Sequence, residues 1–118
     1  MIERTELFYY IEEKYKVKPD YPWDKLENYA ALRHKENNKW FGLVMDITED
    51  KLGLEGNRII NVINLKVRKE YIDIYKQRRG VYTAYHMNKV NWVTVNLNEL
   101  VSIIEIEDLI EESYLLTS

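Results

Sequence analysis

Phe41, Leu43, Met45 and Ile47 alternate with other residues just after the tripeptide Glu36-Asn37-Asn38. Alternation of this kind puts the four apolar side chains on one face of a strand. Asparagine tolerates the left-handed backbone of a tight turn, so the tripeptide predicts a hairpin joining strands over 28–34 and 39–47. A second hairpin is expected from strands over 81–85 and 90–97, with His86-Met87-Asn88-Lys89 at its tip. The β-branched run over 58–65 adds a further strand. Gly53 and Gly56 mark 48–57 as a turn, with a short strand at Leu52-Gly53-Leu54. Consecutive hairpins restrict the chain to an antiparallel sheet.

Three helices frame these strands. Leu7, Phe8, Ile11 and Tyr15 recur at helical spacing and predict a helix over 3–15, stopped by Lys18-Pro19-Asp20-Tyr21-Pro22-Trp23. Tyr71, Ile72 and Tyr75 predict a second helix over 68–79, with Gly80 as its left-handed terminator. Ser102 and Glu105 have the spacing of a capping box, and Ile103, Ile106, Leu109, Ile110 and Ser113 trace one face of the helix that follows. The expected fold class is α+β: a two-layer sandwich of antiparallel sheet with helices on one face.

At 118 residues the chain suits one domain over 1–118. It has no cysteine, which excludes disulfides, thiolate catalysis and cysteine-ligated metal centres. That composition suits a reducing compartment, and a cytoplasmic location is expected. No apolar run is long enough to span a bilayer, and the first residues lack the pattern of a secretory signal. The net charge is −3, but it is unevenly spread: 58–97 carries eight basic residues against Glu70 and Asp73, and only acids follow Lys89. Such segregation can orient a protein towards a polyanion. Two helices with solvated faces of opposite sign would give the same pattern.

Chemistry-bearing residues concentrate between Gly80 and Trp92. Read functionally, His86, Asn88 and Lys89 sit at a hairpin tip, where lysine meets phosphate and the amide and imidazole reach phosphates or base edges. Read structurally, Tyr85, His86 and Trp92 pack together with their polar tips on backbone. The other hairpin offers Arg33, Lys35 and Lys39 against Glu36. Lys66, Arg78 and Arg79 complete the candidate phosphate contacts. Tyr82, Tyr85, Trp92 and Tyr114 are an alternative set, lining an aromatic groove for a protein or small ligand. His34 and His86 lack helical ligand spacing, so no metal site is expected. There is no Gly-rich phosphate loop, nucleophile elbow or HExxH helix, and Ser102 reads as a helix cap. Tyr85 and His86 would point to opposite faces of a strand. A non-enzyme without a cofactor is expected.

Tyr21-Pro22-Trp23, Lys39-Trp40-Phe41, Asn64-Leu65-Lys66, Tyr85-His86-Met87-Asn88-Lys89 with Trp92, and Ser113-Tyr114-Leu115 fall in the order and rough spacing of the MmcQ/YjbR-like family. The chain resembles that family over nearly its whole length. The resemblance implies the bacterial frataxin (CyaY-like) architecture and DNA binding through a double wing of hairpins. It also raises cation binding by Glu3, Glu6, Glu12, Glu13 and Asp20, which otherwise read as solvated acids. Trp23 departs from the family's usual phenylalanine followed by glycine, and Thr83 stands where proline is common. The sequence therefore predicts a DNA-binding module, most simply a monomer, with weak salt-dependent affinity. The alternative is a non-enzymatic protein- or small-ligand-binding domain.

Overall fold

Leu7 and Ile11 lie fully buried on one stripe of helix α1 (Arg4–Tyr15). That stripe packs on the sheet built from β1 (Ala30–Arg33), β2 (Trp40–Thr48), β3 (Ile59–Lys66), β4 (Val81–Thr83) and β5 (Trp92–Asn96). Helices α2 (Ile72–Tyr75) and α3 (Glu107–Thr117) cover the same face. The computed structural model describes all of residues 1–118. The sheet order is β1-β2-β3-β5-β4 with every pair antiparallel. The expected α+β sandwich, with helices on one face, is the fold observed.

The main core lies between sheet and helices and joins Leu7, Ile11, Leu32, Phe41, Val44, Ile63, Leu65, Val93, Val95, Ile106, Leu109 and Ile110. A smaller buried cluster of Leu43, Met45, Ile47, Ile60 and Val62 occupies the opposite face of the sheet. No helix covers that second face. Trp23, Tyr29, Tyr85 and Met87 from loops, Leu52 from a 3₁₀ turn and Trp40 from the start of β2 pack against it instead.

Phe41 does not share a face with Leu43, Met45 and Ile47, contrary to the alternation reading. The register slips between Leu32↔Gly42 and Arg33↔Trp40, so β2 carries a bulge that turns Phe41 into the helix-side core. Gly42 beside it has no room for a side chain: a Cβ would lie 2.9 Å from Leu32 Cδ1. Ser113 holds the irregularity in place. Its hydroxyl donates to the Phe41 carbonyl at 2.5 Å and accepts from the Lys66 amide at 2.9 Å. A side chain of α3 thus joins β2 to β3 where the two strands have parted.

Three other expectations shift. The helix foreseen over 68–79 is a 3₁₀ turn (Lys69–Tyr71) followed by one α-turn, Ile72–Tyr75. Tyr71, Ile72, Ile74 and Tyr75 are poor helix formers, and neither turn has a side-chain cap. Gly80 still terminates the segment, at φ 83°. The short strand at Leu52-Gly53-Leu54 is absent; a 3₁₀ turn (Glu49–Leu52) ends at Gly53, φ 82°. The hairpin strands β4 and β5 are also shorter than expected, which lengthens the loop between them. At the other end, the Ser102 hydroxyl accepts from the Ile104 amide and Glu105 reaches back to the Ser102 amide, forming the expected capping box.

Candidate binding cleft on the open face of the sheet

The β4–β5 loop does not project as a wing. It folds back across β5 and β3 to reach β2. Asn64, buried in the middle of β3, donates its amide to the Tyr85 carbonyl at 2.8 Å. Thr94, its cross-strand partner on β5, donates its hydroxyl to Asn64 Oδ1 at 2.5 Å and accepts the Tyr85 amide at 2.9 Å. Both backbone groups of Tyr85 are therefore held by side chains of central strands. A buried amide needs such partners, since leaving it unpaired is costly. Beyond Tyr85, Met87 packs against the Leu43–Val62 cluster, and the Val67 amide donates to the Asn91 carbonyl at 2.8 Å.

A second loop enters from the opposite side. The α1–β1 connector is bridged to β1 by reciprocal bonds between Asp20 and Ala31, at 2.9 and 2.8 Å. The Asp20 carboxylate also pairs with Arg33 at 3.1 Å. This anchoring sets Trp23 and Tyr29 over the open face beside Trp40. Trp23 meets Trp40 at 5.3 Å between ring centroids with planes 81° apart, and Tyr29 at 6.4 Å and 79°. Burial raises the Tyr29 hydroxyl above its ordinary pKa, with Tyr85 and the Asp46 carboxylate adding to the effect. Between the loops lies a hollow of about 290 Å³. Trp23, Leu26, Tyr29 and Trp40 line it on one side, His86 and Met87 on the other, with Leu43 among the lining residues. His86 is exposed, lies at φ 68° and has its ring 4.0 Å from that of Tyr85.

Most of the basic residues picked from the sequence have partners within the fold. Arg78 forms a bidentate pair with Asp108 at 2.5 and 3.0 Å, which holds the Asp108 carboxyl below its ordinary pKa. Arg79 pairs with Glu105 at 2.7 Å and, with the Val101 and Ser102 amides, lowers that carboxyl to about 2. Arg33 is held by Asp20. Lys89 donates to the Ala84 carbonyl at 2.7 Å, and Asn88 Oδ1 accepts the Val90 and Asn91 amides at 2.8 and 3.3 Å. Lys35, Lys39 and Lys66 have no carboxylate within 4.0 Å. Lys35 joins Lys16, Lys18 and Glu12 around a separate surface hollow of about 440 Å³.

The four predicted aromatics do not share one groove. Tyr114 lies on the helix side, stacked 4.3 Å from Tyr15 and near His34 and Phe41. Tyr82 donates its hydroxyl to Glu99, and burial together with that carboxylate raises its pKa to about 12. Trp92 sits opposite Lys66 on β5, and only Tyr85 helps cover the Leu43–Val62 cluster. The hollow's own aromatics, Trp23, Tyr29 and Trp40, were not singled out as site residues from the sequence. Their signal was spatial: aromatics from two distant segments flanking a strand whose alternating face no helix covers. His34 is buried against Thr117, with Nε2 at 2.8 Å from its hydroxyl.

No helix is long and apolar enough to cross a membrane. The YjbR family model matches residues 12–116. "Uncharacterized protein YyaQ" of Bacillus subtilis (strain 168) is 42% identical over 117 residues, covering 99% of each chain. The crystal structure of a Pseudomonas syringae protein superposes with TM-score 0.94 at 44% identity, covering 98% of this chain and 99% of that one. A Deinococcus radiodurans protein shares the fold at TM-score 0.71 and 22% identity, over 98% of this chain and 78% of that one. The chain belongs to the YjbR family.

Proposed function

We propose that this chain is a non-catalytic cytoplasmic binding module whose site is the aromatic hollow between the two loops. The observation that carries this reading is the anchoring of both loops. Asn64 and Thr94 hold Tyr85, and Asp20 holds the connector, so the walls are in place before any ligand arrives. A preformed site avoids the cost of ordering side chains on binding. The lining is mainly apolar, with Tyr29 and His86 as its titratable groups. It therefore suits recognition better than acid–base or nucleophilic chemistry. The three indole N–H resonances of Trp23, Trp40 and Trp92 test the assignment. Ligands of the site shift the first two and leave Trp92 unmoved; a small-molecule screen that never separates Trp92 from the other two contradicts it.

DNA binding is the second reading, favoured by Lys16, Lys18 and Lys35 meeting around one surface hollow with Glu12 as its single acid. In this reading those lysines contact phosphates, joined by the unpaired Lys39 and Lys66, while Arg33, Arg78 and Arg79 stay in their ion pairs. Electrophoretic shifts at two salt concentrations test it. Lys35→Ala is expected to weaken binding across sequences and reduce the salt slope by about one. Absence of any shift at low salt, for single and double strands alike, removes this reading.

A further inference from the structure

The ligand's chemistry is narrowed by the arrangement of the walls. We propose that the hollow receives a quaternary ammonium group of the trimethylammonium kind carried by choline, an inference that rests on the hollow being the binding site. Trp23 stands nearly perpendicular to both Trp40 and Tyr29, at 81° and 79°. Three rings in this relation line one small volume. Aromatic faces carry partial negative charge, and a methylated cation is drawn to them without needing a hydrogen-bond acceptor.

The protein's own cations leave these rings free. Arg4, Lys14 and Arg78 lie over Phe8, Tyr10, Tyr15 and Tyr75, and none covers Trp23, Tyr29 or Trp40. Leu43 and the polarizable thioether of Met87 supply apolar contact for methyl groups. The volume, about 290 Å³, falls just below the usual ligand-pocket range and fits a small head group better than an extended ligand. A neutral flat ring is the competing occupant. It would find the same apolar contact, but would not draw on the negative potential of the ring faces as a cation does.

The test follows the three indole N–H signals in a proton–nitrogen correlation spectrum, using three probes. These are choline, its neutral isostere with carbon in place of the quaternary nitrogen, and p-cresol as a neutral flat ring. Choline is expected to shift Trp23 and Trp40 but not Trp92, and to bind at least roughly three-fold tighter than the isostere. Trp23→Leu keeps apolar bulk but removes one ring face, and is expected to bring choline down to the isostere's affinity. Tyr29→Leu is the second variant, and the Trp92 signal reports whether each variant remains folded. Equal binding of choline and isostere overturns the proposal, as does the absence of a choline shift. If p-cresol moves the same two signals while choline does not, the cation inference fails and the hollow stands as a site. Silence with all three probes overturns both.

Discussion

Replacing Ser113 by alanine removes one hydroxyl from α3 and with it two bonds to the sheet. Ser113 is fully buried, donating to the Phe41 carbonyl at 2.5 Å and accepting the Lys66 amide at 2.9 Å. Neither backbone group has an evident substitute, because the bulge at Phe41 has displaced the direct β2–β3 pairing. An unsatisfied buried polar group costs about 1–3 kcal/mol. Two such groups, partly relieved by local adjustment, give about 2–4 kcal/mol for Ser113→Ala. Against a typical stability of about 5–15 kcal/mol this is a large loss. Urea unfolding followed by far-UV circular dichroism should show the midpoint falling by about 1–2 M with an unchanged slope. A loss below about 0.5 kcal/mol would mean that Phe41 and Lys66 close directly once the hydroxyl is gone, and the bridging role would be refuted.

Three further outcomes follow from named contacts. Asn64→Ala leaves the Tyr85 carbonyl and the Thr94 hydroxyl without their partner, so stability should fall by about 1–3 kcal/mol, and amides over 85–87 should lose protection from hydrogen exchange. Gly80→Ala forces a side chain onto φ 83° with its Cβ 3.0 Å from Leu100 Cδ2; a loss of at least about 1 kcal/mol is expected by chemical denaturation. Glu105 is held at about 2, below its ordinary value of 4.5, so its stabilising contribution is complete above that ordinary value and disappears as pH falls towards 2. Arg79→Met should flatten the acid limb of a Tm-against-pH curve, and an unchanged limb would show that the pair does not contribute.

Local signals carried far in this sequence. Gly80 adopts the left-handed backbone expected of a terminator, and Ser102 with Glu105 forms the capping box their spacing predicts. These features depend on residues within one turn of each other. The helix expected over 68–79 shrank for local reasons, but the misreadings that reach the site depended on partners far along the chain. The Phe41 bulge involves Ser113, separated from Phe41 by 72 positions. Arg78 and Asp108 are 30 positions apart, so a cation that looked free in sequence is paired in space. The residues of the β4–β5 loop admit two readings, an exposed tip and a packed cluster, and nothing within the loop itself decides between them. Asn64 and Thr94, polar residues at the centres of strands, were the available sign that something would come to rest on them. The site was harder to read than the fold for the same reason. Its walls come from three separated segments, and their meeting depends on the open face lacking a helix.

The hollow exists only because the β4–β5 loop lies against the sheet. The most direct measurement is the set of nuclear Overhauser contacts from the Met87 methyl. The fold packs Met87 against the cluster of Leu43, Met45, Ile47, Ile60 and Val62, and cross-peaks to members of this cluster are expected. A Met87 methyl with no contact to any of the five would mean that the loop extends into solvent, and the site would go with it.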